Sequence, residues 1–188
     1  MKPDDIKPHL EELYSYAKPR IMDHLDLDGT LASTVSEALK SGGPSETSSK
    51  HELTWLIGIL RKQIREHYQE KYRSEEAVAK ARHAAKEILD SPFDIPKKLA
   101  GLDSNLLSHA DNPTFWAAFN ECVEMLNEVQ ADVFILRDLE DVSVEEVCGI
   151  FGLSRSDVLE LVYRARMTTI ACVAVSYTHL TLPTIYSV

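Results

Sequence analysis

The sequence of 188 residues lacks the long apolar runs that mark membrane proteins. No stretch approaches the roughly 18 apolar residues that a membrane-spanning helix needs. The first ten residues also lack the positively charged start and apolar centre of a signal peptide. We therefore expect a cytosolic protein with no membrane insertion.

Cysteine is scarce, and histidine forms no cluster. The cysteines are Cys122, Cys148 and Cys172, and no C-x-x-C spacing occurs. Buried thiols are therefore favoured over a zinc site or a disulfide, and no redox sensor is indicated. The seven histidines form no H-x-x-x-H pair and accompany no carboxylate cluster at ligand spacing. We expect no metal, no cofactor and no catalytic residue, which disfavours an enzyme on a helical scaffold.

Positive charge is also in short supply, with 20 Lys and Arg against 30 Asp and Glu and a net charge of −10. Nonspecific affinity for nucleic acid depends on basic side chains that displace phosphate counterions. This balance disfavours a protein that holds DNA unaided. With 44% hydrophobic residues, the chain has enough apolar material for one or two small cores.

One stretch in the second half of the chain predicts two short helices and a turn. Ser143 and Glu146 have the spacing of a capping box. Gly152 stands where a left-handed C-cap is expected, and Ser154 can cap a second helix with Asp157 at its third position. Apolar residues recur at helical spacing in both helices: Val144, Val147, Cys148 and Phe151, then Val158, Leu161, Val162 and Ala165. This pattern predicts a helix-turn-helix.

The flanks of this motif carry a family resemblance. Residues 133–167, VFILRDLEDVSVEEVCGIFGLSRSDVLELVYRARM, resemble region 4 of bacterial sigma factors of the extracytoplasmic-function type. The matching features are the VF-LRDLE helix, the S-x-E-E-V opening, G-L-S at the turn and the closing YRAR. In that family, region 4 binds the −35 element of promoters.

The resemblance implies DNA contacts along the second helix: Arg155, Ser156, Leu159, Glu160, Tyr163, Arg164 and Arg166. The first five lie off the predicted buried stripe. Arg164 and Arg166, near the expected end of the helix, suit phosphate contacts. Leu159, Glu160 and Leu161 stand where the family often has basic or polar residues. Apolar residues there can read thymine methyl groups or DNA shape.

A second resemblance lies in the first half. TWLIGILRKQIREHY is similar to region 2 of the same family, whose helix meets the −10 element as its strands separate. Residues 61–73 are the most basic stretch, with five basic and two acidic residues, although a solvated helix face would also account for them. The resemblance implies DNA contacts by Arg61, Lys62, Arg65 and Tyr68, since aromatic rings can stack on exposed bases. Trp55 is expected in the core.

The polymerase-binding helix of region 2 usually carries a pattern resembling A-E-D-L-V-Q-E-T-F. The corresponding residues here are LDGTLASTV, from Leu27 to Val35. Asp28, Leu31 and Thr34 match this pattern, and they are our predicted contacts with RNA polymerase.

The periodicity predicts an all-α protein with two small helical domains. We expect a region 2-like domain over 1–90, a linker over 91–111 and a region 4-like domain over 112–174. In the first domain we expect a helix broken by Pro19, a turn at 26–30, a helix that buries Leu31, Val35, Ala38 and Leu39, a loop over 41–50 and helices over 53–73 and 74–90. In the second we expect Asn112 and Pro113 to start a helix that buries Phe115, Phe119, Cys122 and Leu126, and a core helix over 129–139.

The last residues have a different character. Residues 175–188 abandon helical periodicity, and VSYTHLTLPT looks like the translation of a transposase-type sequencing adapter. We expect a non-native tail there, native sequence ending near Ala174 and a truncated last helix.

Together these patterns favour an alternative sigma factor that binds the RNA polymerase core and promoter DNA. Such factors are often held inactive by an anti-sigma factor, which makes one a possible partner here. A stand-alone helix-turn-helix transcriptional regulator is the alternative, and it would bind DNA without polymerase. The acidic helix-turn-helix, with three arginines against five carboxylates over 141–170, favours the dependent binder.

Overall fold

The computed structural model describes residues 2–44, 48–93 and 113–181, with backbone alone at 113–114 and 177–181. The described residues form helices and connecting turns, with no strand among them, as the all-α prediction required. Within these ranges, none of the helices combines the length and apolar content that a membrane crossing requires. The chain divides into two compact units, 1–78 and 79–188.

The first unit is built mainly from three helices. Its elements are α1 (Pro3–Ile6), a 3-10 turn (Lys7–His9), α2 (Leu10–Ala17), α3 (His24–Lys40), α4 (Ser49–Lys71) and the first turn of α5 (Glu75–Asp90). α2 ends before Pro19, as predicted, because proline cannot continue the hydrogen-bond ladder. α3 packs along α4, and α2 packs against both. Their core includes Leu13, Leu27, Leu56, Leu60 and Ile64.

α3 begins earlier than predicted and buries a different face. The expected turn at 26–30 is helical, since the Asp23 carboxylate accepts the N–H groups of Leu25 at 2.7 Å and Asp26 at 3.3 Å. The buried face is Leu27, Thr30, Thr34 and Ala38, whereas Leu31 and Val35 are half-buried and Leu39 is exposed. Gly29 lies inside this helix, and its cost of about 1 kcal/mol is small beside a good cap and tertiary packing.

The second unit surrounds one long helix. Its elements are the rest of α5, then α6 (Pro113–Glu124), α7 (Glu128–Phe134) continued by a π-helical turn (Ile135–Leu139), α8 (Val144–Phe151) and α9 (Arg155–Thr181). α6, α7 and α8 all pack against α9. The helices expected over 74–90 and 129–139 are therefore present, the second with a π-helical end. The predicted cap Asn112 and linker residues 94–111 lie outside the described residues, and the domain limits stay predictions.

A disulfide joins α6 to α9, which corrects the expectation of buried thiols. The Cys122 and Cys172 sulfurs are bonded, with the Cα atoms 5.7 Å apart, and Cys148 is the free cysteine. Cys122 is fully buried beside Phe115 and Val173. Residue spacing could not reveal this pair, because its members are 50 positions apart and meet only when the helices pack.

α9 is also longer than the sequence indicated. Its helical backbone continues to Thr181, past the loss of periodicity expected at Val175. Arg164 and Arg166 therefore lie in the middle of a helix, not near its end. Val173, two residues before this extension, is 1% exposed and packs with Phe115 and Cys122 of α6. The adapter origin of residues 175–188 stays a prediction.

Candidate nucleic-acid interface

The helix-turn-helix forms from the capping residues that the sequence indicated. Ser143 Oγ accepts the N–H of Glu146 at 3.2 Å and starts α8. Gly152 ends α8 with φ of 61°, a left-handed conformation that favours glycine. Ser154 Oγ accepts the N–H of Asp157 at 3.2 Å and donates to its carboxylate at 2.7 Å. These local bonds fix where the two helices stop and start.

α9 presents one face to the core and another outward. Val158, Leu161, Val162 and Ala165 are buried, which confirms the predicted stripe. Leu159 is 47% exposed and Tyr163 is 39% exposed. Arg155 and Ser156 are also exposed, and Glu160 is half-buried. The predicted base-reading residues thus share a single outward face, as helical geometry requires.

Each arginine predicted on α9 is paired with a carboxylate. Arg155 forms an ion pair with Glu145 of α8. Arg166 Nε and Nη2 donate to the two Asp138 oxygens at 2.5 and 2.6 Å, a bidentate arrangement. Arg164 Nε donates to Glu160 at 2.8 Å. A DNA phosphate would therefore have to replace a carboxylate at each of these positions.

The ionisation of these groups follows from their partners. The pKa of Glu145 is lowered below 4.5, first by a hydrogen bond from its own backbone N–H and then by the Arg155 charge, with Arg137 adding to it and burial opposing it. The Asp138 hydrogen bond raises the pKa of Arg166, against a smaller effect of burial. Both pairs therefore remain charged at neutral pH.

Arg164 makes additional contacts that the sequence did not indicate. Its Nη1 donates to the carbonyls of Ile88 at 2.6 Å and Ser91 at 3.0 Å, and Nη2 donates to Leu89 at 3.2 Å. The guanidinium lies 5.2 Å from the centre of the Phe93 ring. The side chain is only 12% exposed. The predicted phosphate contact is thus occupied by the end of α5 in this conformation.

The candidates for the −10 element lie on α4 with unequal exposure. Lys62 and Arg65 are exposed, and Arg61 is half-buried. Tyr68 is 1% exposed, and its hydroxyl donates to the Arg20 carbonyl at 2.7 Å. The ring of Tyr68 is therefore part of the core and is not accessible to a base here. Trp55, expected in the core, is half-buried.

The predicted polymerase contacts lie along α3. Asp28 is exposed and Leu31 is half-buried. Thr34 is fully buried, and its hydroxyl donates to the Thr30 carbonyl at 2.8 Å. Of the three, Asp28 is the side chain most available to a partner, while Thr34 contributes to the core. Within the described ranges, no group of three or more His, Cys, Asp or Glu side chains could hold a metal ion.

Sequence reasoning missed the intramolecular partners of the arginines. Asp138 lies in the LRDLE motif but 28 residues before Arg166, and Glu145 lies 10 residues before Arg155. A weak signal existed in the excess of carboxylates over arginines around the motif. It could not say which carboxylate meets which arginine.

A known protein family matches part of the second unit. The family described as "Sigma-70, region 4" matches residues 116–168, which include α8, the turn and the first half of α9. The chain is also similar to the "Probable RNA polymerase sigma factor" of Haemophilus influenzae, with 27% identity over 127 residues.

The extent of these similarities differs. The aligned part covers 64% of this chain and 63% of the Haemophilus influenzae relative, so the match spans less than two thirds of that protein. Among solved structures, the sigma factor RpoE of Bartonella quintana, crystallised with the anti-sigma factor NepR, is similar at 18% identity and a TM-score of 0.40. That similarity covers 92% of this chain and 96% of the other.

Proposed function

We propose that this protein is an alternative sigma factor of the extracytoplasmic-function type in the sigma-70 family, acting with RNA polymerase in the cytoplasm. It would direct the polymerase to promoters by recognising −10 and −35 elements, and it would perform no covalent chemistry itself. The observation that carries this proposal is the helix-turn-helix of α8 and the first half of α9, which lies inside the region 4 match and turns one face of α9 outward.

The electrostatics support a binder that depends on a larger partner. The chain carries a net charge of −10, and Arg155, Arg164 and Arg166 are each neutralised by a carboxylate. An isolated protein with this arrangement gains little from counterion release. RNA polymerase would supply nonspecific affinity and hold the helix-turn-helix at the promoter, so that α9 needs to contribute mainly sequence discrimination.

The exposed candidates can be assigned to three surfaces. In this proposal the −35 element is read by Arg155, Ser156, Leu159 and Tyr163. The −10 strands are held by Lys62 and Arg65, and the polymerase is contacted by Asp28. Some candidates need a change first. Arg155, Glu160, Arg164 and Arg166 would exchange internal partners for DNA, and Tyr68 and Thr34 would have to leave the core.

Run-off transcription tests the proposal. The protein is added to purified core polymerase with the chromosomal region upstream of its own gene as template. A transcript that starts at one position and requires the protein supports the sigma activity. The absence of any protein-dependent transcript, with a known sigma factor active on its own promoter in parallel, would contradict it.

An anti-sigma factor is a further proposed partner, because sigma factors of the type that this sequence resembles are often held inactive by one. Co-purification of the tagged protein from its own organism would test this. A partner that abolishes run-off transcription when added back would support the proposal. Recovery of polymerase subunits alone would count against it.

A further inference from the structure

The end of α5 lies against the middle of α9 within the second unit. We call residues 88–93 and their contacts with Arg164 and Tyr163 the α5 clasp. Arg164 donates to three carbonyls of this segment at 2.6 to 3.2 Å. Phe93 lies against both outward residues, 5.2 Å from the Arg164 guanidinium carbon and 6.3 Å from the Tyr163 ring. One short segment therefore contacts two adjacent positions of the proposed DNA-reading face.

The chemistry of these contacts explains why the segment stays there. The last carbonyls of a helix have no partner within the helix, and they carry partial negative charge. Arg164 donates to two such oxygens, those of Ile88 and Leu89, and to the Ser91 carbonyl just beyond the helix. Glu160 balances its charge from the preceding turn of α9. The Phe93 ring adds a cation–π contact to Arg164 and an edge contact to Tyr163. The clasp is therefore specific in both hydrogen bonding and shape.

The clasp occupies atoms that DNA would need. Tyr163 and Arg164 lie on the face of α9 that is proposed to enter the major groove. A phosphate at Arg164 would compete with the carbonyls of Ile88, Leu89 and Ser91, and a base pair at Tyr163 would compete with Phe93. Arg82 and Lys86, earlier in α5, line a groove with Ser154 and Asp157 at the start of α9. α5 therefore lies near the first turn of α9 as well as near Arg164.

We propose that the α5 clasp is an autoinhibitory contact, in which residues 88–93 cover Arg164 and contact Tyr163 on the proposed DNA-reading face of α9 and must withdraw before the −35 element can bind. This inference rests on the proposed function. It assigns Arg164 a second role, because the same guanidinium holds the clasp in the closed state and can reach a phosphate in the open one. The affinity of the closed protein for DNA is reduced by the fraction of molecules whose clasp is open.

Phe93→Ala is the direct test, because Phe93 is in the clasp and is not itself a candidate DNA contact. Two quantities are measured on the full chain: hydrogen exchange of the peptide that contains residues 88–93, and affinity for a pool of random 30-base-pair duplexes at low salt. We expect faster exchange in the variant. We also expect roughly three- to tenfold tighter binding, as expected from loss of one aromatic and one cation–π contact.

Tyr14→Ala is the matched control, since it removes another partly exposed aromatic ring, 39% exposed, from the first unit. It should leave both the exchange of residues 88–93 and the DNA affinity at wild-type values. Equal DNA affinity of wild type and Phe93→Ala would overturn the autoinhibitory role, whatever the exchange shows. Failure of the proposed function would be a separate result. It would appear as a wild-type protein that does not bind core polymerase, and neither of these two measurements involves polymerase.

Discussion

Each of three arginines on α9 has its charge balanced by a carboxylate. Arg155, Arg164 and Arg166 each meet a carboxylate, and these carboxylates come from α8, from α9 itself and from the π-helical turn. The surface that is proposed to meet DNA is therefore nearly neutral in the absence of DNA. Its affinity depends on how readily each carboxylate yields to a phosphate.

Asp138→Asn should strengthen binding to DNA. Asp138 is 16% exposed and holds Arg166, which is 51% exposed, through two hydrogen bonds. Loss of the carboxylate charge leaves the guanidinium available to a phosphate. We expect tighter binding of random duplex DNA and a salt dependence steeper by about one counterion. Fluorescence anisotropy at several salt concentrations measures both.

Asp141→Asn is the control for that change. Asp141 pairs with Arg137 at 3.3 Å and is 86% exposed, so the same charge is removed from the same turn without releasing an arginine of α9. Identical DNA affinity and salt dependence in the two variants would show that Arg166 is not held back by Asp138.

Glu145→Gln should lower stability in a pH-dependent way. The pKa of Glu145 is lowered in the folded protein, so its contribution is full above the ordinary value of 4.5 and disappears as pH falls through the lowered value. The variant should melt below wild type at neutral pH, and the two melting temperatures should converge in acid. Melting curves from about pH 7 to pH 3 measure this. A difference between the two melting temperatures that stays constant down to the lowest pH would contradict the stabilising role given to the Glu145 carboxylate.

Local residue roles were predictable, and distant partners were not. Ser143, Gly152 and Ser154 act within three or four residues of themselves, so their capping roles could be predicted from the sequence. The pairing of Arg166 with Asp138 spans 28 residues and depends on how the π-helical turn packs. Tyr68 shows the same limit, because its hydroxyl bonds a carbonyl 48 residues away.

At the scale of elements, the turn between α8 and α9 sets the orientation of the face of α9 that is proposed to contact DNA. Gly152 adopts φ of 61°, where a side chain is strained. Gly152→Ala should therefore lower the free energy of unfolding by about 1 kcal/mol. Chemical denaturation measures the change.

Gly149→Ala provides the matched control, since Gly149 lies inside α8 and an added Cβ would meet nothing within 4 Å. Alanine there should be neutral or stabilising by roughly 0.5–1 kcal/mol, because it favours the helix. Equal destabilisation by both substitutions would contradict the role given to the left-handed turn.

The disulfide between α6 and α9 should be a major source of stability in the second unit. It closes a loop of 50 residues, and the loss of such a constraint on the unfolded chain corresponds to about 4 kcal/mol in the entropic model. We expect a reductant, or Cys122→Ser together with Cys172→Ser, to lower the melting temperature of the oxidised protein. Cys148→Ser in α8 should leave the response to reductant intact. A melting temperature that does not change when reductant is added would contradict the stabilising role of the disulfide.

Element boundaries were predictable where local signals agreed. α2 ends before Pro19, and α8 ends at Gly152, because proline and a left-handed glycine act on the backbone directly. α3 was misjudged, since its start depends on Asp23 and its buried face includes two threonines that periodicity alone treats as polar. The length of α9 was missed because its backbone stays helical to Thr181 although helical periodicity is lost at Val175.

At the scale of the whole molecule, the chain has two compact helical units and a net charge of −10. These features fit the proposed function, in which α9 discriminates between DNA sequences and a larger enzyme supplies most of the affinity. The all-α class and the helix-turn-helix could be predicted from periodicity and capping. The neutralised arginines and the α5 clasp could not, because they arise from tertiary contacts. Both features reduce binding by the isolated protein, and both are compatible with delivery to the promoter by a larger enzyme.

A gel-shift with the DNA upstream of the protein's own gene, with and without core RNA polymerase, tests this dependence most directly. We expect a sequence-specific shifted complex only when both the protein and the core enzyme are present. Tight, sequence-specific binding by the protein alone would contradict the account, as would failure to form the ternary complex under salt conditions in which another sigma factor does.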